Sequence, residues 1–350
     1  MSLGFFTRSA VALSIACRLA GALTYHGADF SSLIKLESDG QTYRDGGSTT
    51  AFETILANHG TNLARIRIWT SDSYDEYSLT YGLDLAKRAA AAGMAIMVDL
   101  HYSDTWADPG KQATPSAWAT DLDSLNRYIY DYTKDVVTQF ANQGTPAEFI
   151  QIGNEINSGM LFPAGQISSN GYNGLSQLLH SAAAGVRDAS STTKTIVHLA
   201  NGWDKSAMSS FYSQVLDYQG ALTADDIDVM GFSFYPFYNT KATLANLRSS
   251  LSSIHSTYGK PIMVVETDWP TQCSGVDMSE PSIPISAAGQ ESWVSSIREV
   301  LEDVGGTGIV YWEPGWIGNA GLGSACNDNL LVDYTTNNVK ASIDMFAHDM

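Results

Sequence analysis

Eight short apolar runs, separated by longer connections that mostly carry helical periodicity, leave this chain few ways to fold. The runs are Thr24 to Ala28, Leu63 to Trp69, Ala95 to Leu100, Glu148 to Gly153, Thr195 to Leu199, Val229 to Tyr235, Pro261 to Val265 and Gly308 to Trp312. Between them lie amphipathic stretches: Leu79 to Ala92, which stops at Gly93, and Asp121 to Asn142, Tyr172 to Ala189, Lys205 to Tyr218, Ala242 to Tyr258 and Gly289 to Val304. Run starts recur about every 30 to 50 residues, the length of a βα unit with some long loops. Strands apolar on both faces are covered on both faces, and such sheets are parallel. An open dinucleotide-binding sheet would carry a glycine-rich phosphate loop after its first strand, and Gly27-Ala28-Asp29 has none. Eight units favour closure, so the expected fold is α/β: a single (β/α)8 TIM barrel over residues 23–350.

The charge balance narrows the partners. With 19 Lys and Arg against 37 Asp and Glu the chain carries −18, which repels phosphate backbones and anionic lipid heads. Neither nucleic acid nor a membrane is expected as a partner, and a neutral substrate fits best. Residues 1–22 read as a secretory signal: Arg8 precedes the apolar run Ser9 to Cys17, and Ala20-Gly21-Ala22 is a small-residue cleavage site. The mature protein is then expected to be extracellular and monomeric. Cys17 leaves with the signal, and the remaining pair, Cys273 and Cys326, is expected to form a disulfide in that oxidising compartment. No H-E-x-x-H or C-x-x-C occurs, so no zinc site is expected, and no G-x-S-x-G offers a serine nucleophile.

In a barrel of this kind chemistry sits at the carboxyl ends of the strands. The fourth run finishes in Asn154-Glu155 and the seventh in Glu266, followed by Asp268-Trp269. A carboxylate straight after apolar residues is costly unless it meets water, a partner or a substrate. Glycoside hydrolysis needs two carboxyl groups flanking one bond, about 5–5.5 Å apart when configuration is retained. Asp99 and Glu313 compete for the pairing. The seventh and eighth strands are neighbours, whereas the fourth and seventh can face each other, so Glu155 is paired with Glu266, and Asp99, deeper than His101, takes a structural role. Arg65, Arg67 and Trp69 alternate and share one face. Buried guanidiniums need carboxylate partners, so at least one is expected on Glu266 or Asp29, lowering the pKa of the carboxyl it holds. His101, Asp104 and Asp108 follow the third run, Asn201 and Trp203 the fifth, and Tyr235 closes the sixth, placed to meet sugar hydroxyls. Six of the eight tryptophans, Trp69, Trp106, Trp203, Trp269, Trp312 and Trp316, fall at or just past a strand end, a distribution that suits stacking on pyranose faces.

Four segments carry a resemblance: Gly153-Asn154-Glu155-Ile156 with Gly159, Leu161, Pro163 and Gly165; Asp99-Leu100-His101-Tyr102-Ser103-Asp104-Thr105-Trp106-Ala107-Asp108-Pro109; Val264-Val265-Glu266-Thr267-Asp268-Trp269-Pro270; and Tyr311-Trp312-Glu313-Pro314-Gly315-Trp316. Together they closely resemble the fungal arabinogalactan endo-β-1,4-galactanases of glycoside hydrolase family 53, from Leu23 almost to the C-terminus. The resemblance implies internal cleavage of the neutral galactan side chains of pectin by double displacement, with Glu155 as acid/base and Glu266 as nucleophile. It implies that Asn154 bonds the 2-hydroxyl in the −1 subsite and that Arg65, His101, Tyr235 and Trp312 line it. It also implies a disulfide, Cys273 to Cys326, where bacterial relatives hold calcium, and hence no metal and no cofactor. Rival readings are a related retaining barrel acting on mannan, xylan or cellulose, and a non-catalytic sugar-binding barrel.

Overall fold

Each of the eight apolar runs forms a strand in the computed structural model, which describes residues 23–71 and 76–350; the signal expected at 1–22 lies outside the described residues. The strands are β1 (Tyr25–Asp29), β2 (Leu63–Ile68), β3 (Ala95–Leu100), β4 (Phe149–Ile152), β5 (Lys194–Leu199), β6 (Val229–Ser233), β7 (Ile262–Thr267) and β8 (Gly306–Trp312). All pair in parallel, each with its chain neighbours, and β1 pairs with both β2 and β8, so the sheet closes on itself. This is the expected single-domain (β/α)8 barrel.

The outer ring is α1 (Phe52–Asn58), α2 (Leu79–Ala91), α3 (Leu122–Asn142), α4 (Asn173–Ala189), α5 (Lys205–Val215), α6 (Leu244–Tyr258), α7 (Ala287–Asp303) and the short α8 (Met345–His348). Their periodicity decides what they cover. On α3, Leu125, Ile129, Val136, Val137 and Phe140 are buried on one side, and the Asp121 side chain caps the first turn by accepting from Ser124 N at 2.9 Å. Ser78, Asp204, Thr243 and Ser286 cap α2, α5, α6 and α7 in the same way.

Inside the barrel the apolar floor is Leu63, Met97, Phe149, Ile196, Val229, Met263, Val265 and Val310. Space there is tight: a Cβ on Gly231 would lie 2.8 Å from Ile196, and one on Gly308 would lie 2.7 Å from Tyr25 and Met263. Only glycine fits those places. The Cys273–Cys326 disulfide joins the loop after β7 to the loop after β8.

Candidate active site

Side chains two residues further along these strands are still on the inner face, and there the chemistry changes from apolar to charged. Arg65 follows Leu63, Asp99 follows Met97, Gln151 follows Phe149 and His198 follows Ile196, all of them fully buried. Arg65 binds three carboxylates: Nη1 donates to Asp29 at 2.8 Å, and Nη2 reaches Asp99 at 2.9 Å and Glu266 at 2.8 Å. The arginine that touches Glu266 is therefore Arg65. Arg67 holds Glu313 at 2.6 Å, with its guanidinium over the rings of Trp106 and Tyr77. Asp99 is structural as expected, locked between Arg65, Gln151 and His101.

Glu155 and Glu266 arrive by two different backbone devices. Met263 and Val265 both face the floor, so strict alternation would send Glu266 outward. A register shift between β6 and β7 sets Ser233 opposite Glu266 and turns that carboxylate inward. Thr267 then faces out, accepting from Trp293 Nε1 on α7 at 2.8 Å. After β4, Gly153 (φ 101°) and Glu155 (φ 49°) take left-handed conformations that bring the Glu155 side chain back over the mouth. One carboxylate oxygen of each, together with a nitrogen of His198, lies within 4.8 Å of the others. His198 has polar neighbours at both nitrogens, Ser233 at 2.8 Å and Asn154 at 2.9 Å, so the trio reads as a carboxyl pair with a neutral support rather than as a metal centre.

The two carboxyls differ in what steadies their charge. Glu266 accepts from Arg65 and, at 3.0 Å, from the Tyr235 hydroxyl. Burial raises its pKa above the ordinary value and Arg65 pulls it back; the expected net lowering does not occur, because desolvation outweighs the guanidinium. Glu155 has the Ser233 hydroxyl at 2.6 Å, and burial followed by the negative charge of Glu266 pushes it up to about 8. Of the two, Glu266 is built to hold charge and Glu155 to hold a proton. Burial would also raise Asp99, but Arg65 and His101 overcome it and hold that carboxyl at about 2. Glu313, raised to about 7 by burial against the pull of Arg67, is tied down by Arg67 and Ser32, and does not line the cavity.

These groups open into a cavity of about 390 Å³ whose walls include Arg65, His101, Trp106, Asn154, Asn201, Tyr235 and Trp312, within the range of small-ligand sites. Asn154 is fixed by donating to Ala107 O at 2.9 Å and accepting from Arg65 at 3.0 Å. His101 accepts from Ala107 N and therefore donates through Nε2 to Asp99, so it offers the cavity its ring rather than a free nitrogen. Three expected substrate contacts lie elsewhere. Trp269 is fully buried behind the wall, donating to Pro284 O and packed on Trp293, because its place after β7 turns it toward α7. Asp104 accepts from Thr70 Oγ1 and Ser116 N, clamping two loops together. Trp203 packs against the outer core and does not line the cavity. Sequence reasoning missed Ser233, Tyr238 and Leu322, which do line it. It also missed Gln151 and His198 beneath; a polar residue at an inward position of an apolar strand was the signal available.

Among known proteins, the profile of glycosyl hydrolase family 53 matches residues 25–346. An arabinogalactan endo-β-1,4-galactanase A of Emericella nidulans is 51% identical over 346 residues, covering 97% of this chain and 98% of the relative. The arabinogalactan endo-β-1,4-galactanase A of Aspergillus niger is 48% identical, covering 93% and 95%. A solved fungal β-1,4-galactanase superposes with a TM-score of 0.89 at 41% identity, covering 93% of this chain and 99% of that one. The family 53 catalytic domain of Ignisphaera aggregans gives 0.81 at 26% identity, covering 95% and 97%.

Proposed function

This chain belongs to glycosyl hydrolase family 53, and from that premise we propose that it acts as its relatives are named to act, hydrolysing internal β-1,4-galactosidic bonds of arabinogalactan with retention of configuration. Glu266 attacks the anomeric carbon while Glu155 gives its proton to the leaving oxygen; Glu155 then takes a proton from the water that releases the sugar from Glu266. The observation that carries the reading is the approach of the two carboxyls from β4 and β7 to within 4.8 Å, close to the retaining separation of about 5–5.5 Å and too narrow for the interposed water of an inverting enzyme. Arg65 and Tyr235 on Glu266, against a single hydroxyl on Glu155, support the division of roles.

The wall of Trp106 and Trp312 offers indole surface to the C–H faces of galactose, and Asn154, beside the acid, is set to meet the 2-hydroxyl. We also infer secretion after loss of residues 1–22 and a monomeric mature enzyme; the Cys273–Cys326 disulfide supports the first, because such bonds persist in oxidising compartments.

The test is reducing-sugar release from unbranched galactan by Glu155→Ala and Glu266→Ala, each expected to lose about 10³-fold or more. A near-normal rate in either would overturn the assignment. Faster release from mannan, xylan or cellulose than from galactan would overturn the substrate, because axial and equatorial 4-hydroxyls cannot make the same bonds in one rigid subsite.

A further inference from the structure

We propose that Ser233, backed by His198, is a positioning residue whose hydroxyl changes direction as Glu155 passes from acid to base during the double displacement. The proposal rests on the assignment of Glu155 as acid/base.

Ser233 Oγ carries one hydrogen and has three acceptors in reach: Glu155 Oε1 at 2.6 Å, His198 Nε2 at 2.8 Å and, more distantly, Glu266 Oε2 at 3.5 Å. Which one it serves depends on the tautomer of His198. The other ring nitrogen, Nδ1, lies 2.9 Å from Asn154 Oδ1 and 3.0 Å from Gln151 Nε2. Neither amide is free to flip. Asn154 donates through Nδ2 to Ala107 O, and Gln151 accepts through Oε1 from Arg65 Nε, so an oxygen of the first and the amino group of the second face the ring. The two Gln151 hydrogens have acceptors in Asp99 Oδ1 and in Asn154 Oδ1 or Gly153 O. A bare Nδ1 would set its lone pair against Asn154 Oδ1, whereas a protonated Nδ1 donates to it. Burial and the nearby Arg65 keep the ring neutral, so a proton on Nδ1 leaves Nε2 bare and able only to accept.

Two arrangements follow, and no proton crosses between residues in either. With Glu155 ionised, the Ser233 hydrogen points to Oε1, the hydrogen bond the carboxylate receives from protein among the described residues. With Glu155 protonated and its hydrogen turned to the glycosidic oxygen, the Ser233 hydrogen swings to His198 Nε2. The hydroxyl thus supports the carboxylate in the base step and withdraws to His198 in the acid step. The other groups that face Glu155 are Glu266, Arg65, Asp108, Tyr235 and Tyr238, and they stay the same in the variants below.

The experiment is the pH profile of kcat/KM on galactan. Ser233→Ala strips the carboxylate of its donor, so the alkaline limb is expected to move up by about one pH unit. His198→Leu leaves the hydroxyl with Glu155 as its nearer partner, so the limb is expected to move down. Opposite signs are not produced by loosened packing. In the intact enzyme, ¹⁵N NMR of labelled histidine is expected to find His198 protonated at Nδ1 and bare at Nε2, a readout that needs no variant to fold. A proton at Nε2, or limbs that move the same way or not at all, would overturn the proposal. On an aryl β-galactoside whose leaving group departs without protonation, Glu155→Ala should regain turnover with azide, which displaces the sugar from Glu266 as the galactosyl azide; if it does not, the failure lies in the acid/base reading and not in Ser233.

Discussion

On β2, Leu63 packs into the apolar floor while Arg65, two residues on and on the same face, gathers Asp29, Asp99 and Glu266. Phe149 and Gln151 stand in the same relation on β4, as do Ile196 and His198 on β5. One pleat repeat, roughly 6.6 Å of strand, separates a layer that stabilises the barrel by excluding water from one that must spend stability to keep charges dry. The floor is interchangeable chemistry, where volume matters and identity little. The layer above is the reverse: each polar atom is fixed by its neighbours, and removing one strands the rest.

The sharpest way to break this contrast is Arg65→Met. Three buried carboxylates would lose their shared cation, so a loss of about 3–5 kcal/mol in urea unfolding is expected, with galactan turnover down about 10³-fold in whatever folds. A stable, active Arg65→Met enzyme would mean the upper layer is no more demanding than the floor. Phe149→Ala, one layer below, should cost a similar 3–5 kcal/mol through the cavity it leaves, yet leave kcat per folded molecule nearly unchanged. Replacing Cys273 and Cys326 by serine should lower stability by about 2–4 kcal/mol, since the bridge closes a loop of 53 residues.

pH separates the layers more gently. The fold holds the Glu155 proton more tightly than the unfolded chain does, up to about 8 against an ordinary 4.5, so its contribution falls as pH rises through that window. Glu155→Gln should therefore gain stability relative to the parent between pH 5 and 8, read by melting temperature at each pH. Asp99 acts in the opposite sense: its contribution is complete above an ordinary carboxyl pKa and is lost as pH falls toward about 2. The smallest effect is expected for Met263→Leu, under about 1.5 kcal/mol and silent in activity.

The same contrast explains what could be read from the sequence. Apolar runs covered on both faces announced all eight strands, and most helices followed from amphipathic periodicity. Helix α1 and the short helix Leu33–Ser38 were not anticipated; Ala51 gives α1 no capping side chain, and Ser32, a capping residue by type, spends its hydroxyl on Glu313 and Tyr77 instead. The carboxyl pair was legible because Glu155 and Glu266 interrupt apolar runs. What turns Glu266 inward was not, since a register shift is a property of two paired strands. Trp269 was misplaced on the rim for a related reason: sequence position puts it past the strand end, but only the fold shows it turned toward α7.

The most direct measurement is the identity of the residue that carries the sugar. Inactivation with an activated 2-deoxy-2-fluoro-β-galactoside, followed by peptide mass mapping, is expected to find the fluorosugar esterified to Glu266. A label on Glu155 or Glu313, or no covalent adduct together with an inverted first product, would contradict the assignment of Glu266 as the nucleophile facing Glu155 across the barrel mouth.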